Sequence, residues 1–121
     1  MADVSLVKRF VLGPVLVLTC VAASPAPRQP DCSGPDRWPA NMAFVKLKNA
    51  GLITNSKVDF NHVKSRTIVS QRIGQDLWRQ VFRVTFLLKS GRKLEAIVVS
   101  DASSDECSMS DPQVFLISKA L

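Results

Sequence analysis

The apolar residues of this chain change their spacing once, and that change decides what it can fold into. Ala40, Ala43, Phe44, Leu47, Ala50 and Gly51 recur at helical intervals and share a stripe about 120° wide. Asn41, Lys46, Lys48 and Asn49 take the opposite side. From Val63 the repeat shortens to two residues: Val63, Thr67, Val69 and Ile73 alternate with Lys64, Arg66, Ser70 and Arg72. A helix with one apolar side and strands with one apolar side bury those sides against each other, so the expected class is α+β.

Local signals set the boundaries. Asp36 reads as a helix N-cap and Pro39 suits the first turn. Lys46 and Lys48 complement the negative end of the helix dipole, and Gly51 supplies the left-handed stop. A turn at Thr54, Asn55 and Ser56 leads to the first strand, which Gly74, Gln75 and Asp76 interrupt. The second strand directs Trp78, Phe82, Val84, Phe86 and Leu88 one way, and the third runs from Leu94 to Val99. Asp101 to Gln113 is polar, contains Pro112 and reads as a loop before a short last strand, Val114 to Ile117. The expectation is one amphipathic helix packed on an antiparallel meander of about four strands.

With Ser90 and Gly91 as the whole hairpin loop, Phe82 faces Val99, Val84 faces Ile97 and Phe86 faces Glu95 on the helix side. The outer side then pairs Arg83 with Val98, Thr85 with Ala96 and Leu87 with Leu94, extended by Arg79 and Val81. Such a face is neither polar nor core. It is expected to dock a protein partner or a second copy, centred on Arg79, Arg83 and Val98, because an arginine stem packs on aliphatic surface while its head meets carboxylates. Cover by the chain's own lead-in or by sheet curvature is the alternative.

Residues 1–23 read as a signal peptide, with Lys8 and Arg9 before an apolar run from Phe10 to Leu18 and small residues at Ala22, Ala23 and Ser24. Gly13 and Pro14 interrupt the run and Pro25 follows it, which argues against a membrane anchor. Cleavage after Ala23 discards Cys20. The alternative keeps Cys20 for lipidation, although Thr19 is a poor residue to precede a lipidated cysteine. Residues 24–37, rich in Pro, Ser, Asp and Gly, read as an extended and mostly disordered lead-in to one domain over 38–121.

Of the chain's three cysteines, cleavage leaves Cys32 and Cys107, which an oxidising compartment pairs. The bond closes a loop of 75 positions, a constraint of about 4 kcal/mol in the chain-entropy picture. Two thiols and a single histidine do not make a zinc set, and no other cofactor is implied. The net charge of +6 favours acidic partners or surfaces, but the cations are scattered and tyrosine is absent, which argues against nucleic acid.

The catalytic candidates are sparse. His62 has Asp59 three residues before it, and no Gly-x-Ser-x-Gly elbow, phosphate loop or metal spacing accompanies them. Trp38 and Trp78 read as core filling, with a ligand slot as the alternative.

A single helix wrapped by an antiparallel sheet after a signal peptide resembles cystatin-like and PepSY-like domains. Of the Gln-x-Val-x-Gly hairpin of cystatins the sequence offers only Gln71, Arg72, Ile73 and Gly74, with a different spacing. The stretch Ala102–Ser110 resembles a segment of small uncharacterised exported proteins of proteobacteria, which implies the periplasm. The expected function is an exported, non-enzymatic binding or inhibitory module, secreted or periplasmic. The alternative is a small hydrolase using Cys107 or a serine with His62.

Overall fold

The computed structural model describes residues 13–19 and 26–117. Its helix α1 spans Trp38–Asn49, with Pro39 in the first turn, where a missing N–H breaks no helical bond. Arg37, not Asp36, is the N-cap, and no side chain caps it; Asp36 contributes its carbonyl, which accepts from Asn41 Nδ2 at 2.9 Å. The other end closes as the sequence implies. Gly51 takes φ +77°, and Leu52 N–H donates to Leu47 O while Gly51 N–H donates to Lys48 O, the paired bonds of a Schellman stop.

After the turn Thr54–Lys57 and a 3-10 turn at Phe60–His62 come β1 (Lys64–Gly74), β2 (Leu77–Leu87), β3 (Lys93–Ala102) and β4 (Gln113–Ile117). They form one four-stranded sheet in the order β1-β2-β3-β4, antiparallel throughout. The α+β meander expected from the sequence is the fold observed. Helix α1 lays Pro39, Ala40, Ala43 and Leu47 over β2 and β3, where Phe82, Val84, Phe86, Ala96 and Val98 are buried beneath it. Phe44 bridges outward, its ring centroid 6.3 Å from that of Phe86 and 5.2 Å from that of Phe60. Complete burial of one such phenylalanine contributes about 2–3 kcal/mol.

The β2–β3 register departs from the expected one. Leu88 N–H donates to Arg92 O and Gly91 N–H to Leu88 O, so the loop is Lys89, Ser90 and Gly91, with Gly91 at φ +88°. One extra loop residue slides the ladder by one position, and in a strand that exchanges the faces. Phe82 therefore pairs with Val98, Val84 with Ala96 and Phe86 with Leu94. Val98, expected at the centre of the outer face, is a fully buried core residue beneath the helix. Ile97 and Val99 stand on the outer face instead.

β1 also breaks its expected alternation. The ladder shifts between Thr67 and Val69, leaving Ile68 as a bulge residue, so Ser65 and Thr67 face inward while Val69 is opposite Val81 on the outer face.

The lead-in is packed rather than disordered over its described part. Cys32 is buried in the core and bonded to Cys107, with Cα atoms 5.7 Å apart, as the cysteine count predicts. Pro30 O accepts from Gln80 Nε2 at 2.9 Å. At Pro30 and Cys32 this segment thus covers the inner face beside the helix. The basic residues Lys8 and Arg9, Cys20 and the expected cleavage point after Ala23 lie outside the described residues. Gly13–Thr19 carries neither helix nor strand, with Val15 to Leu18 exposed. Among the described residues no helix is long and apolar enough to cross a membrane.

Candidate functional site

Alternation along β2 sends Trp78, Gln80, Phe82, Val84 and Phe86 to the helix and leaves Arg79, Val81, Arg83, Thr85 and Leu87 on the other side. The neighbouring strands add Val69 from β1, Ile97 and Val99 from β3, and Phe115 from β4. Cross-strand pairing makes Val69, Val81 and Val99 one continuous row and places Ile97 beside Phe115 in the next. Val69 is 49% and Phe115 54% exposed. A one-sided antiparallel sheet normally turns polar residues to water, so an apolar row at its centre sets this face apart.

Two ion pairs bracket the row. Arg79 and Asp101 are directly opposite, with Nε donating to one carboxylate oxygen at 3.0 Å and an Nη to the other at 3.3 Å. The Asp101 carboxylate holds the Arg79 guanidinium still more firmly protonated than usual. Arg83 donates to Glu95 at 2.6 Å, a diagonal pair two residues along β3 from its direct partner Ile97. Both expected docking arginines are therefore on the face, but each is already matched by a carboxylate of the same chain. Glu95, expected opposite Phe86 on the helix side, is opposite Thr85 on the outer face, and Asp101, expected in the loop, belongs to β3; the opposite charges of Arg79 and Asp101 on facing strand positions were the available signal.

The loop from Ser103 to Pro112 is held rather than loose. Asp76, at the tip of the β1–β2 hairpin, accepts from Ser104 N–H at 2.9 Å and Ser104 Oγ at 3.0 Å. Ser110 Oγ accepts from Asp101 N–H, and Trp38 Nε1 donates to Ser110 O at 3.3 Å. Lys46 reaches across to Asp111 at 3.0 Å and also donates to Pro112 O. These contacts span long sequence separations and had no local signature. Of the two tryptophans, Trp78 is buried with Arg72 over its ring at 5.6 Å, whereas Trp38 lies at the surface edge. The Gln71–Gly74 stretch ends β1 beside the same hairpin tip.

The catalytic alternative loses its thiol, since Cys107 is consumed by the disulfide. His62 Nδ1 lies 2.7 Å from Asp59 Oδ2 on an exposed turn, and the same aspartate caps that turn by accepting from Asn61 N–H. Asp59 is the only side chain hydrogen-bonded to that ring among the described residues. No group of three or more His, Cys, Asp or Glu among the described residues is placed to hold a metal ion. A polar row of half-buried Ser70 and buried Gln80 and Ser100 crosses the inner face, where Gln80 Nε2 donates to Ser70 Oγ at 3.0 Å. It anchors the lead-in from within the core.

No protein-family model matches the chain, and no curated protein or solved structure matches it.

Proposed function

We propose that this chain is an exported binding module, secreted or periplasmic, that docks a protein partner through the outer face of its sheet. The observation that carries the reading is the apolar row of exposed Val69 and half-buried Val81 and Val99, with half-buried Ile97 and exposed Phe115 beside it, on the sheet side opposite the helix. The ion pairs at its border supply the polar rim that protein interfaces carry around an apolar centre. Export is supported by the basic, apolar, small-residue order of the first residues and by a disulfide, which persists in oxidising compartments. A cystatin-like or PepSY-like kinship belongs to the same proposal, supported by the order of one helix before an antiparallel meander.

Photo-crosslinking in the exporting cell tests it. A photoreactive residue at Phe115 should yield a discrete protein adduct in the exported fraction, while the same residue at Leu52, exposed beyond the helix end, should not. Equal labelling from both positions would remove the outer face as the docking surface.

A further inference from the structure

The sheet separates charge along its strands. Lys57, Lys89, Arg92 and Lys93 gather at the β2–β3 hairpin, where Lys89 N–H donates to Lys57 O at 2.8 Å and Val58 bridges to Leu88. Lys64, opposite Thr85, begins β1 at the same end, and it and Lys93 stand where that end meets the outer face. None of these five cations forms an ion pair among the described residues, and the nearby acids are already engaged, Asp59 with His62 and Glu95 with Arg83. At the other end Asp76, Asp101, Asp105, Glu106 and Asp111 outnumber Arg72, Arg79 and Lys46, and Arg79 and Lys46 are spent in ion pairs with two of them. Strand β2 alone, 11 residues at about 3.4 Å each, holds the two ends roughly 30 Å apart, several times the screening length of about 8 Å in physiological salt. The acids therefore do not cancel the cations.

Charge alone fits any polyanion, and the apolar groups among these cations narrow the choice. Leu52 and Leu88 share one open cleft with Lys57, Lys89 and Arg92, and Leu52 is 48% exposed. Phe60 follows Asp59, whose N–H donates to Leu87 O, and is 52% exposed at the same end. A phospholipid joins an anionic phosphate to an apolar tail and presents both across a plane, and a hairpin tip meets a plane with all its cations at once. Four of the five cations are lysines, point charges on flexible stems that suit a layer of moving headgroups better than one fixed carboxylate. We infer that this hairpin end is a peripheral membrane-binding surface: Lys57, Lys64, Lys89, Arg92 and Lys93 seat anionic phospholipid headgroups while Leu52 and Phe60 enter the headgroup layer. The strands then stand on the bilayer with the acidic end pointing away, and the outer face stays open to the partner proposed above. The inference goes beyond that docking reading and does not rest on it. Each cation near such a surface strengthens binding about fivefold, so five together give on the order of a thousandfold preference over a neutral bilayer.

Partition of the exported protein onto sedimented vesicles reads this directly. The wild type should bind vesicles of equal parts phosphatidylglycerol and phosphatidylcholine far more tightly than vesicles of phosphatidylcholine alone. Lys57→Gln, Lys89→Gln and Arg92→Gln should each lower the partition coefficient about fivefold. Lys46→Gln, which removes a cation beside Asp111, should leave it unchanged. All these proteins share one amino terminus, so its contribution is common to them and the differences report the hairpin end. Leu52→Ser should weaken binding to the mixed vesicles about tenfold without weakening binding to poly-L-glutamate, which offers charge and no bilayer. Far-UV circular dichroism checks that each variant folds, and Phe60→Ser replaces Leu52→Ser if the latter does not. A wild type that binds both vesicles equally, or glutamine variants that partition as the wild type does, overturns the inference. So does a Leu52→Ser variant that binds mixed vesicles and poly-L-glutamate as the wild type does, which assigns this end to an acidic protein instead.

Discussion

Breaking the Cys32–Cys107 bond, by reduction or by replacing both residues with alanine, is expected to cost this fold a large part of its stability. The bond closes 75 positions of chain, and loop-closure entropy over that length amounts to about 4 kcal/mol at 25 °C. A domain of about 90 residues holds roughly 5–14 kcal/mol in all. With an unfolding entropy near 0.2 kcal/mol/K for about 90 residues, the midpoint of thermal unfolding should fall by about 20 °C. There is a local effect too. The lead-in is held to the inner face by the buried Cys32 and by the bond from Gln80 to Pro30 O, so its release should expose the backbone at Arg28 and Arg37 to trypsin before the sheet unfolds. Thermal denaturation followed by circular dichroism, with and without reductant, measures the first effect; timed tryptic digestion measures the second. A midpoint lowered by only a few degrees would show that the loop constraint does not stabilise the domain, and unchanged cleavage would show that the lead-in is held by other contacts.

Further outcomes follow from the register, the caps and the exposed groups. Val98→Asp should abolish folding by placing a carboxylate in the core, whereas Ile97→Asp on the outer face should leave the far-UV spectrum unchanged; equal behaviour of the two would refute the ladder described here. Gly51→Ala, at φ +77°, should destabilise by about 1 kcal/mol, read from denaturant midpoints, through the left-handed strain it imposes. His62→Ala should change stability by less than about 1 kcal/mol, because its pairing with Asp59 is solvent-exposed. Amino-terminal sequencing of the exported form should begin at Ser24; a start at Met1 contradicts the signal reading.

Asp31 adds a small dependence on pH. The hydroxyl and N–H of Ser33 hold its carboxyl below the usual aspartate range. Its contribution is therefore present above the unfolded pKa and is lost as pH falls through the folded one. Ser33→Ala removes the hydroxyl and keeps the N–H, so it should raise the Asp31 titration, followed by NMR, part of the way towards the ordinary aspartate range.

The class of fold was legible because two periodicities in one short chain leave little choice: the stripe from Ala40 to Leu47 and the alternation from Trp78 to Phe86 each had to find an apolar partner. The exchange of faces along β3 was not legible from hydrophobicity, because both sides of the strand are aliphatic, with Val98 and Ala96 on one and Ile97 and Val99 on the other. Counting two loop residues where the backbone uses three was enough to reverse them. Charge held the missing information: only the observed register sets Arg79 opposite Asp101, and only it brings the small residues Ala96 and Ala102 beneath the helix and lead-in. The bulge at Ile68 had no such marker, since a bulge is a property of the ladder and not of the residue. The lead-in looked featureless because what orders it is remote: a cysteine 75 positions away and a glutamine in the middle of the sheet.

The central claim is that helix and lead-in cover one face of the meander while the other is a docking surface. Methyl NMR with a soluble paramagnetic probe tests both halves at once. In dilute protein the methyls of Val69, Val81, Ile97 and Val99 should relax strongly while those of Val84 and Val98 do not, and the outer set should become protected as partner is added. Outer methyls already protected at dilution, or still relaxed when complex forms, would contradict the account.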